Sequence, residues 1–344
     1  MPAEWEPHDA VWLAWPDHAD LWQADLEPAR AEFIELCRAI GRRWSPEVTP
    51  ETLSILVLGE AAERDVRVRL EGLSCEVYRI PYGDIWLRDT APIFLAGGSR
   101  PSAVRFQFNG WGEKYLLAHD PAVAEKVARA AGRELAEAAL VAEGGAVEVD
   151  GEGTCLTSRS CLLNPNRNRG MSTEQVERIL EASLGIRKTV WIAEGLRGDH
   201  TDGHIDTLAR FAGPARVLCA EARSAGDPNR RVLKAIGDQL ARTVDAAGRS
   251  LEVVTVPSPG IVTDPTGRPL PASYMNFYVA NGVVVVPIYG SPYDAEAVDV
   301  IATCFPKRKV VGLQARHILA GGGAFHCITQ QQPAARADTE ASRE

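Results

Sequence analysis

Short apolar runs alternate with amphipathic segments along nearly the whole chain, and no clear linker separates them. Residues 26–44 carry apolar side chains at helical spacing, and the proline-bounded stretch 46–50 stops the pattern. An apolar strand at 53–58, a charged helix at 61–70 closed by Gly72, and a second strand at 76–80 follow. Further strands are expected at 104–108, 140–149, 154–157, 189–192, 207–211, 216–220, 252–256, 273–279, 283–287 and 309–313. Helices are expected between them, from Asp120-Pro121 to about Ala139, from the capping-box pair Ser172 and Gln175 to Gly185, from Asp227-Pro228 to Gly248, and at 294–304. Asn109-Gly110 marks a tight turn, and the Pro- and Gly-rich stretch 257–271 a loop able to cover a site. The alternation predicts an α/β domain over residues 1–333, with 334–344 a disordered tail.

Charge breaks into this pattern at a few strand edges. Residues 199–206 read Asp-His-Thr-Asp-Gly-His-Ile-Asp, five ionisable side chains in eight residues, and run into an apolar segment. If 202–206 is extended, a period of two puts Asp202, His204 and Asp206 on one face. Residues 83–90 likewise place Asp84, Arg88 and Asp89 at the edge of an apolar run, and Glu143 stands alone in an apolar setting. Asp89, Glu143, His204, Asn276 and Cys327 recur at loosely even intervals, each at a strand edge beside a helical segment. That spacing suggests about five similar units, each offering one residue to a common centre.

Composition narrows the classes. Of 344 residues 45% are hydrophobic and 24% charged, the balance of a folded globular protein. Basic residues number 37 against 46 acidic ones, and the net charge of −9 argues against a general nucleic-acid binder and favours small cations. The amino-terminal residues show no secretory pattern and no apolar run approaches the ~20 residues that span a bilayer, so a cytoplasmic protein is expected. Seven scattered cysteines with no Cys-x-x-Cys pair indicate neither a disulfide framework nor a structural zinc site.

Cys327 has unusual surroundings, with Gly321-Gly322-Gly323 before it and His326 and Thr329 beside it. In an extended segment His326 would point away from Cys327, which leaves His204 as the better base. A thiolate, a histidine and several carboxylates suit an electrophile that is itself cationic. A planar guanidinium offers fixed N–H forks to carboxylates on two sides, a role that falls to Asp89 and Asp206, while Glu143 orients His204. The alternation of His200, Asp202, His204 and Asp206 also has the form of a metal site, so a metal-dependent hydrolase is an alternative reading.

Several motifs carry a family resemblance: residues 1–8, Trp86-Leu87-Arg88-Asp89-Thr90, Phe108-Asn109-Gly110-Trp111-Gly112, Glu143-Gly144-Gly145, residues 150–157, Asn164-Pro165-Asn166-Arg167-Asn168, residues 201–206, and His326-Cys327-Ile328-Thr329-Gln330-Gln331. In that order they resemble the agmatine deiminase family of the guanidino-modifying pentein superfamily. The resemblance implies a five-bladed, pseudo-symmetric α/β-propeller of repeated ββαβ-type units. It also implies Cys327 as nucleophile, His204 as acid and base, Glu143 as its partner, Asp89 and Asp206 as guanidinium clamps, and Trp86 and Trp111 along the alkyl chain of a substrate such as agmatine. The reaction so implied needs no metal or organic cofactor, and a homodimer is compatible with the likeness. The chain departs from the family pattern at Ala91, Ala324 and Phe325, which bears on substrate shape. Other readings are a deiminase of peptidyl-arginine, arginine or another guanidino compound, and a silent polyamine-binding member of the fold.

Overall fold

The computed structural model describes residues 1–96 and 102–335. Five sheets share one connectivity, in which a strand pairs antiparallel with the next and that one pairs parallel with a third beyond a helix. Ile93–Leu95, Ser102–Gln107 and Glu134–Val141 form one such unit, with the helix Asp120–Ala130 as its crossover. Glu148–Val149, Thr154–Ser158 and Lys188–Ile192 form the next, crossed by Thr173–Leu184. Ala209–Gly213, Arg216–Glu221 and Glu252–Pro257 follow around Arg230–Leu240, then Tyr278–Val279, Val283–Ile288 and Lys309–Gln314 around Asp294–Cys304. A parallel pair needs a long crossover, and the helices supply it.

The fifth sheet joins the two ends of the chain. Gln330–Pro333 pairs antiparallel with His8–Ala14, which pairs parallel with Thr52–Val57 and through it with Cys75–Arg79. The strand His8–Ala14 carries the unbroken apolar run 10–15, which the expected elements left out, whereas Gln330–Pro333 has no apolar pattern to mark it. Ala334 N–H donates to the Pro7 carbonyl at 2.8 Å, while residues 336–344, most of the expected tail, lie outside the described residues. Among the described residues no helix is long and apolar enough to cross a membrane.

Most expected elements are present, and the exceptions have physical causes. Ser172 caps its helix through the reciprocal bond with Gln175, and Gly185 at φ 74° ends it. The expected helix 120–139 stops at Ala130, because Gly132 turns the chain at φ 65° and 134–141 pairs with 102–107. There tertiary pairing overrides the helical preference of an Ala- and Glu-rich segment. The helix after Asp227 likewise ends at Leu240, and of 273–279 only Tyr278–Val279 is strand. The loop 257–271 contains a small ribbon of Val262–Thr263 with Pro269–Leu270. Val283–Ile288 is almost wholly buried, as its unbroken apolar run requires of a strand covered on both faces.

Candidate active site

Each unit begins with one residue of the loose series. Asp89 lies in the turn Leu87–Thr90, Glu143 ahead of Gly144–Ala146, His204 ahead of Ile205–Thr207, Asn276 ahead of Tyr278–Val279, and Cys327 ahead of Gln330–Pro333. All five are buried, and they gather at one centre. A Cβ placed on Gly145 would lie 2.6 Å from His204 Nδ1, 3.0 Å from Asp89 Oδ1 and 3.1 Å from Asp206 Oδ2. The glycine is therefore the space in which these groups meet.

Residues 202–206 are not extended. Asp202 takes φ 68° and Gly203 φ 101°, after which 205–207 form a 3-10 turn. Asp202 consequently leaves the shared face and bonds Lys114, Asn166 and Arg167. His204 and Asp206 alone face the centre, and the four-residue metal set is not assembled. The ligand atoms that do cluster among the described residues are those of Glu143, Cys161 and His204. Arg167 Nε lies 3.0 Å from both Glu143 oxygens, so a guanidinium already occupies that carboxylate and the set makes a poor cation site.

The carboxylates are held differently. Asp89 Oδ1 accepts the Gly145 N–H and Oδ2 the Trp111 indole N–H, each at 2.9 Å. Four consecutive left-handed residues, Gly110 to Glu113, bring Trp111 to that position, with Asn109 accepting the Gly112 N–H inside the turn. Asp206 Oδ2 lies 2.7 Å from His326 Nδ1 and 3.7 Å from Cys327 Sγ, while its buried Oδ1 has no hydrogen-bond partner among the described residues. Glu143 Oε2 lies 3.4 Å from His204 Nε2.

Around the sulfur, Asn276 Nδ2 donates to Cys327 Sγ at 3.1 Å, and its Oδ1 accepts the N–H groups of Ala324 and Cys327. Cys327 borders a cavity of about 290 Å³ walled by Trp22, Trp86, Trp111, Tyr115 and His200. Trp86 and Trp22 stack at 6.1 Å, and Asp84 accepts both indole N–H groups. Arg268, from the loop 257–271, reaches the same cavity.

The site is strongly polarised. Burial pushes the Cys327 thiol well above its ordinary value, and the Asp206 and Asp89 carboxylates push it further. Burial opposes the His204 imidazolium, yet Asp89, Cys161 and Glu143 outweigh it and hold the ring well above the usual histidine range. Burial also raises Asp89, assisted by Asp206 and Glu143. Asp206 goes the other way, since His326, His204 and Arg210 overcome its burial and depress it. A buried neutral thiol facing carboxylates and an imidazolium is arranged for a cation that supplies the missing positive charge.

Sequence reasoning did not assign roles to Asn276, Arg167 or Asp84, nor to His326. Asn276 was visible as one member of the series. Residues 325–328 form a turn rather than a strand, so Cys327 and His326 both reach Asp206, contrary to the alternation expected of an extended segment.

Sheets of this connectivity around a buried cysteine, histidine and carboxylates define a mixed α/β protein with a polar centre built from strand edges. Residues 1–333 match the model of the Porphyromonas-type peptidyl-arginine deiminase family, and the chain belongs to that family. It is 38% identical over 362 residues to an agmatine deiminase of Stutzerimonas stutzeri, covering 97% of this chain and 95% of that protein. Among solved structures it resembles an agmatine deiminase of Enterococcus faecalis catalysing its reaction, with TM-score 0.88, 31% identity and coverage of 97% and 95% of the two chains. It also resembles a C. jejuni agmatine deiminase with substrate bound, with TM-score 0.87, 26% identity and coverage of 97% and 96%. The fold is that of the pentein superfamily.

Proposed function

We propose that the protein is a thiol-dependent agmatine deiminase, a hydrolase of C–N bonds in linear amidines that converts agmatine to N-carbamoylputrescine and ammonia. The observation that carries this reading is the buried Cys327 thiol set between Asp89 and Asp206, with one Asp206 oxygen left without a partner among the described residues. That gap matches a guanidinium N–H in charge and direction. The names of relatives alike over nearly the whole chain point to the same substrate. The five sheets are read as the blades of a pseudo-symmetric propeller over residues 1–333, with the site at their common centre.

The chemistry follows from the charges. The arriving guanidinium offsets the two carboxylates that disfavour a thiolate, and the Cys327 proton is lost to solvent. The sulfur attacks the central carbon, giving a neutral tetrahedral adduct. His204, already an imidazolium, donates its proton to the departing nitrogen, and ammonia leaves an S-alkylthiouronium on Cys327. Water then attacks while neutral His204 takes one of its protons, and collapse breaks the C–S bond, the remaining hydroxyl proton passing to the released sulfur to restore the thiol as the ureido product leaves. Glu143, gripped by Arg167, holds the ring on which both transfers depend. Asn276 donates to the sulfur throughout.

Trp86 and Trp111 wall the cavity through which the alkyl chain runs. Ammonia release from agmatine, free arginine and a blocked arginine peptide, measured beside Cys327→Ala, tests the reading. Turnover of agmatine that disappears in the variant supports it. Turnover confined to arginine or the peptide moves the substrate, and an active variant defeats the thiol mechanism.

A further inference from the structure

Beneath the site a charge cluster is sealed from solvent. His326 Nδ1 lies 2.7 Å from Asp206 Oδ2 and its Nε2 lies 2.9 Å from Glu4 Oε2, with the ring buried. A neutral imidazole has one N–H, so one of these short contacts would set a bare nitrogen lone pair against a carboxylate oxygen. With Glu4 and Asp206 both held ionised, only a ring with a proton on each nitrogen satisfies both. Glu4 is fixed in turn. Its Oε1 accepts the Val279 N–H at 2.8 Å and pairs with Arg210 at 2.9 Å, and its Oε2 bonds Arg88 at 3.2 Å. Arg210 Nε donates to Glu148 at 2.8 Å. With His326 as an imidazolium the cluster balances, Glu4, Glu148 and Asp206 against Arg88, Arg210 and His326.

We infer that His326, braced by Glu4 from the amino-terminal segment, is a positioning residue that keeps Asp206 ionised and turned so that Oδ1 alone is offered to the substrate guanidinium. This rests on the deiminase reading for its substrate, though not for its charge state. Both anchors are mechanical as well as electrical. Arg88 Nε donates to the His326 carbonyl and Arg88 N–H to the Cys327 carbonyl, so the residue next to clamp Asp89 also pins the segment bearing the nucleophile. The charged groups facing Asp206 are His326, His204, Arg210, Asp89 and the Cys327 sulfur. Of these, His326 makes the one short contact.

Two measurements decide it. In ¹⁵N-histidine NMR of the whole protein at neutral pH, with the His326 signal assigned by its loss in His326→Gln, both ring nitrogens should be protonated. A singly protonated ring overturns the inference whether or not the enzyme turns over. In steady-state kinetics His326→Gln should raise KM by roughly tenfold with kcat little changed, the size expected when a charged donor becomes a neutral one. The acid limb of kcat/KM should move to higher pH, since Asp206 would then take up its proton earlier. A variant that merely melts at lower temperature, with KM and the acid limb unmoved, assigns His326 a structural role and overturns the proposal. If His326→Gln does not fold, the ring signals are assigned through bonds to the His326 backbone, and the wild-type spectrum decides alone. A wild-type protein that deaminates no guanidino compound refutes the functional reading, and the NMR result still judges the cluster.

Discussion

Asn276 and Cys327 form a two-ended cage, in which the amide nitrogen donates to the sulfur at 3.1 Å while the amide oxygen accepts the backbone N–H of Cys327 at 3.3 Å. The same side chain thus stabilises the thiolate and holds its backbone. A hydrogen bond to a charged acceptor contributes about 1.5–3 kcal/mol, so Asn276→Ala should lower kcat/KM by roughly 10- to 100-fold. Asn276→Asp should be worse, because a third carboxylate beside the sulfur opposes the thiolate. Steady-state kinetics on both variants checks this, and an Asp variant as active as the Ala variant would remove the electrostatic half of the explanation.

Gly145 is constrained by space and not by backbone angle. The methyl of Gly145→Ala would press on His204 Nδ1 at 2.6 Å, on Asp89 Oδ1 at 3.0 Å and on Asp206 Oδ2 at 3.1 Å. Displacing reacting groups by about 1 Å costs on the order of 100-fold in rate, while overpacking costs about 1–3 kcal/mol of stability. The expected outcome is a folded protein, detectable by its thermal transition, with at most about a hundredth of wild-type kcat/KM. Near-normal turnover would show that the groups do not converge on that space.

These residues mark how far the sequence could be read. Helix 294–304 and the Ser172 cap are local, written in spacing and in one pair of side chains, and both are present as expected. The five-fold series was visible because each unit interrupts an apolar run with one polar residue. What stayed hidden depends on contacts between distant segments. Residues 134–141 favour a helix by composition and become a strand because 102–107 lies beside them. Glu4 meets His326 across the whole length of the chain, through a sheet that joins both ends. The alternation expected of 202–206 failed at two successive positive-φ residues, Asp202 and Gly203, conformations that Asp and Gly tolerate and that periodicity does not reveal.

Asp120 is a buried acid whose Oδ1 accepts the Gly83 N–H at 2.6 Å and whose Oδ2 has no partner among the described residues. Burial pushes it up to about 7, the Asp84 carboxylate adding to the rise against the Gly83 and Asp84 N–H groups. Below the unfolded value near 3.8 both states are protonated and Asp120 has no effect. Between there and about 7 only the unfolded state ionises, so stability falls as pH rises, and above 7 the cost is constant. Its ceiling, at ~1.36 kcal/mol per pH unit, is about 4 kcal/mol. Asp120→Asn keeps the acceptor for Gly83 and removes the charge. The variant should therefore gain melting temperature over wild type increasingly from pH 4 to 7, with a plateau above, and an advantage independent of pH would contradict the assignment.

The charge state of Cys327 before substrate arrives gives the sharpest test of the site. Iodoacetamide reacts with the thiolate, and a thiol raised by burial, Asp206 and Asp89 should be alkylated slowly at pH 7–8 and faster only in more alkaline solution. Asp89→Asn removes one of the two opposing charges. The thiol then ionises at lower pH, and alkylation at pH 8 should accelerate by roughly tenfold for every pH unit by which its titration moves down, while turnover is lost with the clamp. Opposite movement of thiol reactivity and catalysis in one variant is expected only if the carboxylate suppresses the free thiolate and serves the substrate. Rapid wild-type alkylation that is flat across pH 6–9 would mean a thiolate already formed beside the His204 imidazolium, and the substrate would then have no part in generating it.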